Sequence, residues 1–168
     1  EIEIMEDIKK EIEVKYKKID LCREFLFSKE AEITKRYYKS ISMLINKKIG
    51  FNGRTRRPPK DPVNALLSYG YAILTSQIHK AILIAGLEPF AGFLHTDRAG
   101  KISLVYDLIE IFRQPVVDRL VFNMVEKKIL KKEDFEVEEK SKGVKIKEQA
   151  KKKFLKNLFE RMESKNIN

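Results

Sequence analysis

The apolar positions of this chain recur at helical spacing along most of its length, with Gly and Pro marking the breaks. From Ile2 to about Asp20 the segment is rich in Lys, Glu and Ile, with opposite charges three and four apart, a helical pattern. A second helix is expected from a cap near Ser28 to about Lys47, its apolar side formed by Ile33, Tyr37, Ile41, Leu44 and Ile45. Gly50 to Lys60, with Pro58 and Pro59 inside it, predicts a mobile loop. Asp61-Pro62 is a start signal, a capping carboxylate followed by proline at the first helical position. The helix after it, to about Ala85, is apolar on most faces through Leu66, Leu67, Tyr71, Leu74, Ile78 and Ile82. Such a helix suits the centre of a bundle.

Gly86 closes that helix, and Pro89 is expected to open a short one ending near His95. Thr96 to Gly100 reads as a turn. Further helices are expected from about Ile102 to Arg113 and from Pro115 to about Leu130. Phe135 to Ile146 predicts a short hairpin around Lys142-Gly143. Glu148 to Met162 makes a last amphipathic helix, with Phe154, Leu155, Leu158, Phe159 and Met162 on one face and lysines on the other. The fold class is all-α, a single helical-bundle domain with one short β-hairpin near 135–146.

Length and composition narrow the classes. The 168 residues have room for one domain, and 43% hydrophobic with 36% charged residues is too apolar for disorder and too charged for a membrane protein. The longest apolar stretch, Ala81 to Leu87, is far short of the ~18 residues a spanning helix needs and reads as core. One cysteine, Cys22, excludes an internal disulfide and a multi-thiolate zinc site, and suits a reducing cytoplasm. The chain opens on Glu1 with no initiator Met or signal-peptide pattern, so a piece of a longer protein is expected. Of the net charge of +10, residues 41–61 carry +5 and residues 131–168 carry +4, while 1–40 are neutral and 62–130 add +1. A charge excess gathered in one loop and one tail favours a polyanion, of which nucleic acid is the commonest. The plain alternative is solvated surface lysine.

Chemistry concentrates between His95 and Glu110. His95 stands at a turn, and Asp107 and Glu110 lie three apart on one face of an otherwise apolar helix. Two such acids repel each other and lose hydration, so either a divalent cation compensates them, or Asp107 pairs with an Arg or caps a helix while Glu110 faces water. Arg54, Arg56, Arg57 and Lys60 make the loop between the glycines and Asp61 a candidate phosphate contact, or else a solubilising surface. His79, on the apolar central helix, reads as a core histidine. Tyr37, Tyr38, Tyr69 and Tyr71 have helical spacing and read as core before they read as base-stacking groups. No glycine-rich phosphate loop or nucleophile elbow is present.

Three blocks in order, Arg56 to Leu74, Ala85 to His95 and Ser103 to Asp118, resemble the integrase/endonuclease family of the CRISPR adaptation module. The likeness extends more loosely from about residue 23 to 163 and covers that family's helical C-terminal domain, without the β-rich N-terminal domain that precedes it. Residues 1–22 are then expected to be the connecting helix and 23–168 the helical catalytic domain. The resemblance implies a Mn²⁺ or Mg²⁺ site of Glu30, His95 and Glu110, with Asp107 supporting it or as an alternative ligand, and Glu32 competing with Glu30. It implies a metal-dependent DNA endonuclease/integrase that inserts captured DNA into CRISPR arrays. It further implies double-stranded or branched DNA as substrate, a homodimer in the full-length protein, the small second Cas adaptation protein (Cas two) as partner, and a prokaryotic cytoplasm. The alternative, from another class, is a catalytically inert helical DNA-binding or assembly module.

Overall fold

The computed structural model describes residues 6–7, 9–10, 19–45, 49–95 and 100–164. Most of the expected connecting helix, the Thr96–Gly100 turn except Gly100, and the end of the second helix near Lys47 lie outside the described residues. The described chain is helical apart from one hairpin, as the periodicity predicts: α1 (Ile19–Leu44), α2 (Pro62–Ile84), α3 (Ser103–Phe112), α4 (Arg119–Glu126) and α5 (Glu148–Glu163), with β1 (Phe135–Val137) and β2 (Val144–Ile146). α1 runs through the expected boundary at 22–23 in one helix, so Ser28 is a mid-helix residue and not a cap. Among the described residues no helix is long and apolar enough to cross a membrane.

α2 begins as its sequence predicts. Asp61 accepts the N–H of Asn64 at 2.9 Å, and Pro62 takes the first helical position. Its first turns are buried on every side through Val63, Leu66 and Leu67. The second half buries one stripe, Gly70, Leu74, Ile78 and Ile82. Of the apolar run from Ala81 only Ile82 is core: Leu83, Ile84 and Leu87 are exposed, and His79 is only half-buried. Gly70 marks where α2 meets its neighbours most closely, since a Cβ there would lie 2.6 Å from Val117 Cγ1 and 3.1 Å from Phe154 Cζ. Phe154 and Leu158 of α5 are fully buried behind it, whereas Phe159 is exposed.

Two expected helix boundaries dissolve. Pro115 does not open a new helix, because α3 continues through a π-helical segment, Arg113–Asp118, directly into α4. That helix ends at Glu126, where Lys128 takes a positive φ of 52°, short of the expected Leu130. Pro89 to His95 forms no helix but a run of turns. In the hairpin, Phe135 pairs with Ile146 and Val137 with Val144, antiparallel, and Lys142 makes the tight turn at φ 54°.

Candidate functional site

The 93–95 segment is non-helical because its amides bind a side chain instead of a preceding carbonyl. The N–H groups of Phe93, Leu94 and His95 donate to the Asp107 carboxylate at 2.5, 3.0 and 3.0 Å, and Asp107 Oδ1 lies 2.6 Å from His95 Nδ1. Gly92 lets the turn sit this close to α3, since a Cβ there would meet Ser103 Cβ at 2.5 Å. Burial pushes the Asp107 carboxyl up, but the His95 ring and the three amides outweigh it and hold the group below the usual carboxylate range. Arg23 of α1 donates to the Phe93 carbonyl at 2.9 Å from the other side. The His95 ring packs against Phe27 and Tyr106, with centroids 5.3 and 5.8 Å away. With Nδ1 taken by Asp107, Nε2 is the nitrogen left for another partner.

Glu30, His95, Asp107 and Glu110 line one cavity of about 460 Å³. Glu110, its side chain 32% exposed, bonds Arg113 at 2.6 Å to one carboxylate oxygen and 2.8 Å to the other. Its carboxyl is pushed up by burial and by the charge of Glu30, against the pull of Arg113. Glu32, the competitor of Glu30, is exposed and bonds Lys29 and Arg36 at 3.4 and 2.7 Å, and it does not line this cavity. One imidazole and two carboxylates form an oxygen-rich donor set of the kind that suits Mn²⁺ or Mg²⁺. The repulsion between Glu30 and Glu110 is what a cation relieves. Among the described residues no three His, Cys, Asp or Glu stand together as a group that could hold a metal ion, and Glu110 is held by Arg113. Asp107, with both oxygens bonded, serves as a support for His95.

The basic loop is pinned, contrary to the expected mobility. Asn64, fully buried, accepts from Arg54 and from the Thr55 N–H at 2.9 Å each, and donates to the Gly53 carbonyl at 2.8 Å. Lys60 N–H donates to Thr55 Oγ1 at 3.0 Å, and Val144 of the hairpin donates to the Pro59 carbonyl at 2.8 Å. Arg54 is turned inward, bonding Ser68 at 2.9 Å, while Arg56, Arg57 and Lys60 are exposed. Arg54, Arg56 and Arg57 line a cavity of about 240 Å³ that Glu110 and Arg113 share. Arg54, Arg56 and Lys60 line a larger cleft of about 900 Å³ that Glu30 and His95 share. The predicted acids, imidazole and cations thus face adjoining spaces. Sequence reasoning missed Asn64, Arg113 and Asp118. The signal for Asp118 was available as an acid inside the apolar run Val116 to Val121.

The tyrosines follow the core reading in part. Tyr38 is buried, while Tyr37, Tyr69 and Tyr71 are half-buried.

The profile of the family described as CRISPR associated protein Cas1 matches residues 1–160. The chain is similar to CRISPR-associated endonuclease Cas1 1 of Archaeoglobus fulgidus, 42% identical over 153 residues, which are 88% of this chain and 44% of that protein. Against CRISPR-associated endonuclease Cas1 1 of Thermus thermophilus it is 40% identical over 139 residues, 83% of this chain and 43% of that one. It therefore spans less than half the length of these curated relatives. Among solved structures it resembles a CAS1 protein from Thermotoga maritima, with a TM-score of 0.80 and 30% identity over 86% of this chain and 47% of that one. A casposase bound to integration product gives a TM-score of 0.76 at 29% identity, covering 83% and 40%. A Cas6-RT-Cas1–Cas2 complex gives 0.77 at 30%, covering 86% of this chain and 16% of that one.

Proposed function

The chain belongs to the Cas1 family of CRISPR-associated proteins, and on that premise we propose that it is the catalytic domain of a metal-dependent DNA endonuclease/integrase. Its reaction is phosphoryl transfer that joins 3′-hydroxyl ends of captured DNA to CRISPR repeats. The observation that carries this reading is the convergence of Glu30, His95 and Glu110 on one cavity that shares Glu110 with an arginine-lined neighbour. Glu30, Glu110 and His95 Nε2 would hold the Mn²⁺ or Mg²⁺, which when bound neutralises phosphate charge and makes an attacking oxygen more acidic. Asp107 fixes the tautomer and direction of His95 through Nδ1. Arg56, Arg57 and Lys60 draw in the DNA backbone by charge, and Arg54, held by Asn64 and Ser68, offers a more rigid contact. By the same family argument the partners are branched or double-stranded DNA, a second copy of the full-length protein, and Cas2.

The inert-module reading draws on the absence of a closed donor cluster among the described residues, and one experiment separates the two. Thermal melts with and without Mn²⁺ are expected to show a rise in Tm for the wild type and none for Glu110→Ala. A wild-type Tm that ignores Mn²⁺ and Mg²⁺ at millimolar concentration sinks the metal reading.

A further inference from the structure

Behind the arginines of the 240 Å³ cavity lies an acid that the proposed chemistry does not use. Asp118, in the π segment, is 1% exposed. Tyr71 Oη donates to its Oδ1, and the Tyr37 hydroxyl bonds it as well. Tyr38 Oη lies 2.6 Å from Tyr71 Oη and must be the donor there, because the single Tyr71 hydrogen is already directed to Asp118. Over the ring of Tyr71 lie the guanidiniums of Arg54 and Arg113, 5.5 and 5.1 Å from its centroid. One negative charge is therefore tied through tyrosines to two cations that open onto a cavity.

The charged and titratable groups around Asp118 come from each element packed on it. α1 contributes Tyr37 and Tyr38, the loop Arg54, α2 Tyr71, and the π segment and α4 Arg113 and Arg119. α5 brings Arg161, which donates to the Pro115 carbonyl at 2.6 Å. α3 brings Glu110, which lines the same cavity and pairs with Arg113 at 2.6 Å, so Asp118 when ionised adds a second, buried negative charge that offsets the surrounding arginines.

We propose that Asp118 is a positioning residue that sets how strongly the arginine cavity binds a DNA phosphate. While ionised it offsets the charge of Arg54 and Arg113 through space, and on taking up a proton it leaves more of that charge to the phosphate. This rests on the DNA-binding reading above. Burial pushes the carboxyl up to about 6, against the tyrosine hydroxyls and arginines that favour its charge, so the exchange falls in the weakly acidic range. The sign follows from linkage: a phosphate near Asp118 favours its protonated form, so affinity must rise as pH falls through the acid's pKa. Each pKa unit by which DNA raises the acid is worth about tenfold in affinity.

The test is fluorescence anisotropy of a labelled branched DNA with the full chain in EDTA, so that no metal contributes, between about pH 5.5 and 7.5. All proteins carry His95→Ala, His79→Ala and Glu110→Gln, which removes both imidazoles and the neighbouring carboxyl of the cavity from the titration. The parent is expected to tighten about three- to tenfold on acidification. Asp118→Asn should be flat over that range and bind at pH 7.5 as the parent does at pH 5.5. Tyr71→Phe removes a donor to the carboxylate, so its response should persist with the midpoint moved to higher pH, a change that mere loss of packing does not produce. A pH response in Asp118→Asn equal to the parent's overturns the proposal. If that variant does not fold, an unmoved midpoint in Tyr71→Phe does so instead. Absence of DNA binding at every pH in the parent overturns the DNA-binding reading, and this inference with it.

Discussion

Asp107 illustrates how one side chain can shape the segment around it. Its two oxygens satisfy three backbone amides and one imidazole nitrogen, and an amide in its place accepts through one oxygen only. Asp107→Asn is therefore expected to cost about 1–3 kcal/mol for each donor left unpaired, read from denaturant melts. Asp107 is held below the usual range, so its stabilisation is complete above the unfolded value near 4 and is lost as pH falls through the lower folded value. Glu110 and Asp118 are pushed up, so each weakens the fold at neutral pH and stops doing so as pH falls through its folded value. Tm is expected to rise from pH 7.5 to about 5.5 and then drop below about 4; a monotonic fall from neutral pH contradicts these assignments. His95→Ala should abolish Mn²⁺-dependent cutting or joining of branched DNA by the full-length protein and leave gel-shift affinity nearly intact. Loss of both would make His95 structural. That His95 and Glu110 lie on one cavity was legible because both sit in family-like blocks. The amide cradle was not, since nothing local in Phe93-Leu94-His95 says that a carboxylate twelve or more residues on will replace its helical bonds.

Among the elements, α2 comes close to the π segment and α5 at Gly70. A Cβ 2.6 Å from Val117 Cγ1 forces one of two packed elements to move, so Gly70→Ala is expected to destabilise by about 1–3 kcal/mol. A lowered urea midpoint with an unchanged m value supports this, and an unchanged midpoint refutes it. α2, α5 and the hairpin were readable because capping, periodicity and turn residues agree there with the tertiary contacts. Proline was the misleading signal. At Pro115 a wider helical turn absorbs the missing N–H and carries Arg113 and Asp118 into the arginine cavity, so a residue read as punctuation lies inside a continuous helix. The pinning of the loop was equally hidden, because it depends on Asn64 being buried one turn into α2 and on a hairpin some eighty residues later.

Across the whole molecule the uneven charge becomes a measurable slope. The excess sits in residues 41–61 and 131–168, and each phosphate neutralised contributes about −0.9 to the slope of log K against log salt. Arg56→Ala with Arg57→Ala, both exposed, should lower affinity and flatten that slope together. An unchanged slope with unchanged affinity would assign these two residues to solubility. Arg54→Ala is expected to do more than its single charge, because it also releases Asn64 and Ser68.

Glu30 stands on α1, whose one buried side chain among those described is Tyr38, whereas His95 and Glu110 belong to the tightly packed body formed with α2. On the proposed metal reading, an ion held from both sides of that seam would work as a hasp. Seating the helix on the body and capturing the cation would then be one equilibrium, the apparent affinity being the intrinsic one scaled by the fraction already seated. Amide hydrogens of α1 should then exchange more slowly with solvent when Mn²⁺ is added, while those of α2 keep their rates. Grip on the metal could thus be strengthened by changes at the α1 seam that never touch a donor atom.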